Sequence, residues 1–115
     1  MNKDNLLLLC STILGDSYRL IFLSGQVPTN EETDITAQTA NVLAQINQIL
    51  TACNSDKQHI CEAVIYLADM QGYSGMNQAW EDWIIPGRAP ARACVQAVQA
   101  KPQWKVEIKI TAVQK

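Results

Sequence analysis

The sequence predicts an α+β domain in which two helices lie on one face of a single sheet. Three observations carry this expectation. Short runs rich in Leu, Val, Ile and Tyr recur along the chain, separated by turn residues. Two longer segments, beginning near Ile35 and near Met76, repeat apolar residues at three- and four-residue steps, as helices with one buried face do. Residues 105–113 alternate strictly between polar and apolar, as a strand with one wet face does. In chain order the elements read β-β-α-β-α-β-β, and two helices that each have a single apolar face suggest one sheet with both helices on one side. The opposite face then needs a cover of its own, which further copies of the chain supply most simply.

Residues 6–14 are apolar and strand-like, Gly15-Asp16-Ser17 is turn chemistry, and residues 18–24 make a second strand, giving a hairpin. The run Leu6-Leu7-Leu8-Leu9-Cys10 is shorter than a secretory core, and Asp4 stands where positive charge belongs. It reads as a buried first strand. Gly25 frees the backbone, and Pro28-Thr29-Asn30-Glu31-Glu32 is a loop. Asp34 is suited to cap the first helix, whose buried stripe is Ile35, Thr39, Val42, Leu43, Ile46, Ile49, Leu50 and Cys53. Gln38, Asn41, Gln45 and Gln48 form the opposite face, and Asn54 closes the helix in the left-handed conformation. Ser55-Asp56-Lys57-Gln58 starts a short turn, and residues 60–68 are a buried strand. Gly72-Tyr73-Ser74-Gly75 breaks the chain, and Ser74 caps a second helix with Met76, Ala79, Trp80, Trp83 and Ile84 on one face. Pro86-Gly87 ends that helix. Two strands follow, within 89–97 and 105–113, joined near Lys101-Pro102.

The 115 residues form one domain, residues 1–115, with no internal repeat or linker. A net charge of -2 with scattered Lys and Arg argues against nucleic acid as a partner. No run approaches the roughly 20 apolar residues of a membrane span, so no membrane partner is expected. Four cysteines without a C-x-x-C pair, and a single histidine, argue against a metal site. The cysteines read as small buried hydrophobes of a reducing compartment, which points to a cytoplasmic location.

Two side chains stand out chemically. Arg92 sits inside the apolar run Ala89-Pro90-Ala91-Arg92-Ala93-Cys94-Val95, where a guanidinium is costly to desolvate unless an anion meets it. Glu107 lies on the polar side of the last strand, between Lys105 and Lys109. The two are suited to grip a carboxylate and activate a water; a structural ion pair between them is the alternative. His59, Tyr66, Trp80 and Trp83 read as surface-turn and core residues.

The chain resembles the RidA (YjgF) family of imine/enamine deaminases, and its small YoaB-like branch most closely. The resemblance is carried by Phe22-Leu23-Ser24-Gly25-Gln26-Val27-Pro28, Gln38-Thr39-Ala40-Asn41-Val42-Leu43, Val64-Ile65-Tyr66-Leu67-Ala68-Asp69-Met70, Met76-Asn77-Gln78-Ala79-Trp80, the Arg92 segment and Val106-Glu107-Ile108. It implies a chorismate-mutase-like fold and a homotrimer with sites in the clefts between subunits. It also implies hydrolysis of 2-imino acids to 2-keto acids and ammonia, without metal or organic cofactor. Arg92 matches the family arginine that binds the substrate carboxylate, and Glu107 the glutamate near the catalytic water. Cys94 matches a family position beside the arginine and reads as a core or lining thiol rather than a nucleophile. Asn77 matches a family asparagine at the start of the second helix, suited to capping, packing or ligand contact. Ser24 offers a hydroxyl and Gly25 close backbone approach, as ligand-lining or turn residues. The family's front Gly-Pro-Tyr-Ser segment is absent: its tyrosine falls on Ser11 when counted back without gaps. That departure bears on the ligand more than on the fold. It favours the alternative of a binding module that captures a small carboxylate metabolite without turnover.

Overall fold

In the computed structural model, the described residues are the backbone of 7–12 and all of 19–115. The turn expected at residues 15–17 lies outside them. The elements are β1 (Leu7–Thr12), β2 (Arg19–Leu23), α1 (Ile35–Ala52), β3 (Ile60–Leu67), α2 (Tyr73–Trp83), β4 (Ala91–Gln96) and β5 (Val106–Val113), in the order the sequence predicts. Short 3-10 turns at Lys57–His59 and Met70–Gly72 precede β3 and α2.

The strands form one mixed sheet ordered β1-β2-β5-β3-β4. β4 runs parallel to β3 across the α2 crossover, and the other neighbours are antiparallel. Alternation along each strand sorts its side chains between two faces. Ile21, Leu23, Ala63, Ile65, Leu67, Ile108 and Ile110 are fully buried against the helices. Their neighbours Phe22, Val64, Tyr66, Thr111 and Val113 on the other face are only half-buried. The helices therefore cover one face, and the other carries apolar side chains without a cover of its own among the described residues.

Helix α1 begins where Asp34 accepts the amide of Ala37 at 2.9 Å. It ends as expected, with Asn54 at φ 58 and the amide of Ser55 donating to Leu50 O. The predicted stripe faces the core, with Ile35 and Cys53 partly buried at its ends.

Three local expectations need correction. Gln38 is fully buried rather than on the polar face. Its amide nitrogen donates to the carbonyls of Glu31, Thr33 and Gln103, and its oxygen accepts the amide of Lys105 at 2.8 Å. It thus ties the loop before α1 to the loop before β5. Ser74 does not cap α2: the helix already begins at Tyr73 after Gly72, and no side chain caps it. Gly75 is inside α2 because a Cβ there would come 2.7 Å from Ile35 Cγ2 and 2.8 Å from Thr36 Oγ1. Its lack of a side chain lets the helices approach, and it is packing rather than a break.

Replacing the buried Gln38 amide with an apolar side chain removes the partner of three carbonyls and one backbone amide in part-buried bonds. Gln38→Leu is expected to lower unfolding stability by about 2–4 kcal/mol, read by urea denaturation of the two proteins side by side.

Candidate functional site

β3 lies between β4 and β5 and fixes which way the candidate residues face. Arg92 is in register with Ala63, and Cys94 with Ile65; both partners point to the helices. Glu107 is in register with Tyr66, on the uncovered face. A single chain therefore does not bring Arg92 and Glu107 together, and the ion pair between them considered above is absent. Two separate half-sites result.

The first is built on β4 and α2. Arg92 Nη1 donates to Asn77 Oδ1 at 2.8 Å, and Nη2 donates to the Tyr73 hydroxyl oxygen at 2.9 Å. The guanidinium carbon stands 5.4 Å from the Trp80 ring centroid and 5.8 Å from that of Tyr73, within cation–π range. Among the described residues no carboxylate pairs with Arg92. Its fork has N–H groups to spare, since among the described residues two of the five are taken. Cys94 is half-buried beside it. Burial pushes the Cys94 thiol above the ordinary thiol range, and the nearby Arg92 charge offsets this only in part. The thiol is therefore neutral near pH 7, which speaks for a lining role and against a nucleophile.

The second half-site is built on β5 and the end of β2. The ladder pairs Phe22 with Thr111, then Gln26 with Ile108, so four steps on one strand meet three on the other. The mismatch is a bulge that lifts Ser24 and Gly25 out of regular pairing. Gln26 closes it with two backbone bonds to Ile108, at 2.9 and 3.0 Å, and its side chain donates to Ser24 O at 2.8 Å. A Cβ at Gly25 would fall on the Glu107 carboxylate, with its Cδ at 2.8 Å. Glycine is thus required for the backbone and the carboxylate to lie side by side.

Of the predicted site residues, the fold groups Arg92, Cys94 and Asn77 in one place and Ser24, Gly25 and Glu107 in the other. Tyr73 and Trp80 belong with the first group, although their sequence context placed them in a chain break and in the core. One signal was available: on a helix, residues 73, 77 and 80 share a face. An open recess of ≈ 880 Å³ between α1 and residues 25–29 reaches Gly25 and Trp104. Among the described residues its lining holds no cationic side chain and none of the Arg92 group. His59 lies far from both half-sites in sequence, in a 3-10 turn, bonded to Asp56 at 2.6 Å. That bond holds the Asp56 carboxyl below its usual range.

Residues 13–114 match a family model described as endoribonuclease L-PSP. The RutC family protein YoaB of Escherichia coli K12 is 48% identical over 86 residues, 75% of each chain. The crystal structure of a YjgF-family protein from Neisseria meningitidis superposes with a TM-score of 0.81 at 57% identity, covering 84% of this chain and 80% of that one. The 3-aminoacrylate deaminase RutC of Acinetobacter baylyi is 32% identical over 95 residues, 77% of this chain and 75% of its own.

The raised thiol gives a pH test. Cys94 is expected to alkylate slowly at neutral pH and to speed up only at a pH above the ordinary thiol range, as followed by peptide mass spectrometry. Fast modification at neutral pH would show a thiolate and reopen the nucleophile reading.

Proposed function

The chain belongs to the endoribonuclease L-PSP family, the RidA/YjgF group, and from that premise we propose that it hydrolyses 2-imino acids to 2-keto acids and ammonia. One observation carries the reading: Arg92 is half-buried under two aromatic rings and held by neutral acceptors, with no carboxylate pairing with it among the described residues. A guanidinium kept charged in that setting is prepared for an anionic ligand. The kinship with a 3-aminoacrylate deaminase supports the same chemistry. The endoribonuclease label finds less support, because a net charge of -2 with scattered basic residues offers no track for a phosphate backbone.

In this reading the carboxylate of the substrate takes two parallel N–H bonds from Arg92. Its protonated imine carbon is then presented to a water. The water oxygen bonds to C2 as the C=N π pair moves to nitrogen, and Glu107 accepts the proton the water gives up. That proton passes to the nitrogen. As the C–N bond breaks, the hydroxyl oxygen forms the C=O bond and gives its proton to Glu107, which returns it to solvent, so ammonia leaves and the 2-keto acid remains. The bulge at Ser24 and Gly25 brings backbone groups next to the carboxylate that does this work, and Asn77 and Cys94 line the arginine side.

Arg92 and Glu107 face opposite sides of one sheet, so a site that uses both needs two copies of the chain. The half-buried apolar face with Phe22, Val64 and Tyr66 supplies a surface for that contact. A heterologous contact that closes makes a ring, and a homotrimer is the ring we propose.

Arg92→Ala and Glu107→Gln are each expected to lose at least ~10²-fold in 2-iminobutanoate hydrolysis with the assembly intact. Refolded together, the two inactive variants should recover roughly a quarter of parental activity, because one junction in four then pairs an intact arginine with an intact glutamate. Mixed assemblies that stay inactive would rule out a site shared between copies. Tight 2-keto acid binding by a parent protein that releases no ammonia would select the non-catalytic binding module instead.

A further inference from the structure

We propose that Tyr73 is a positioning residue for anion recognition: its hydroxyl, together with Asn77, locks the Arg92 fork in place without cancelling its charge. The proposal rests on the reading of Arg92 as the carboxylate binder. An arginine carries donors only, so in the Arg92–Tyr73 bond the phenol oxygen accepts. The same holds for Asn77, whose carbonyl oxygen faces Nη1. Each terminal nitrogen of the guanidinium is therefore anchored once. The two anchors stand four residues apart on α2, on one helix face.

Both anchors are neutral. A carboxylate at either position would hold the arginine at least as firmly, but it would pair with the cation and compete with any incoming anion. The rings add to the hold without adding charge: Tyr73 and Trp80 both lie within 6 Å of the guanidinium carbon. Tyr73 is 39% exposed, so burial of its ring does not explain its place. Fixing a long side chain before the ligand arrives removes an ordering cost from binding. The hydroxyl thus contributes affinity through Arg92 rather than by touching the substrate.

Two measurements test this, both on Tyr73→Phe, which keeps the ring and removes only the hydroxyl. In the ligand-free protein, the Nη signals of Arg92 in guanidinium NMR should be distinct in the parent and averaged in the variant. Titrated with 2-oxobutanoate, the variant should bind about fivefold more weakly, and in turnover its KM should rise by the same factor with kcat nearly unchanged. Asn77→Asp, nearly isosteric but charged, should keep the Arg92 signals distinct and still lose binding by more than tenfold. Unchanged Arg92 signals or unchanged affinity in Tyr73→Phe would overturn the proposal. Undiminished binding by Asn77→Asp would overturn the requirement for neutral anchors. A parent that does not bind 2-oxobutanoate at all would sink the carboxylate reading itself, while the ligand-free NMR comparison would still decide whether Tyr73 orders the fork.

Discussion

Strand alternation about β3 is the constraint on which the site depends. Ala63 stands opposite Arg92 on one side and Ile110 on the other; Tyr66 stands opposite Val95 and Glu107. One strand thus commits the arginine to the helix face and the glutamate to the other. A one-residue slip of β5 would drive Glu107 into the core and expose Val106, Ile108, Ile110 and Ala112, which are fully buried. The apolar core therefore enforces the separation of the two candidate side chains. Any chemistry that needs both must be completed by a second copy.

The elements were largely legible in the sequence because their apolar periods are clear. The stripe from Ile35 to Cys53 repeats at helical steps, and residues 106–113 alternate without a lapse, buried and half-buried in turn. Two of the departures from expectation involve residues whose local preference is overridden by a distant contact. Gln38 looks like surface when its helix is read alone, yet besides the adjacent loop it bonds Gln103 and Lys105, in a loop remote in sequence. Gly75 looks like a breaker until Ile35 and Thr36 of another helix are set against it. A propensity argument sees neither, because the deciding atoms are tens of residues away.

The site was legible in part. Arg92 and Glu107 stood out because each breaks or marks the pattern of its strand. Sequence could not reveal that they face apart, since that follows from sheet order: β3, not β5, is the neighbour of β4. Gly25 carried a signal whose meaning appeared only with the Glu107 carboxylate beside it. Tyr73 was hidden between two glycines that look like a turn, and its contact with Arg92 emerges only once α2 is seen to start there.

The environment of Arg92 shows how a small domain can keep a cation ready. Were a carboxylate bonded to the fork, the arginine would be satisfied and unavailable. Were nothing bonded to it, the side chain would sweep through many rotamers at the sheet margin. The fold takes an intermediate course: two neutral acceptors from one helix and two aromatic faces supply contacts that order the group and leave its charge uncompensated. The raised Cys94 thiol belongs to the same arrangement, because a neutral thiol at that position adds no negative charge to compete for the guanidinium. Neutral ligands around a fixed cation are what selective capture of a small acid requires, whatever chemistry follows capture.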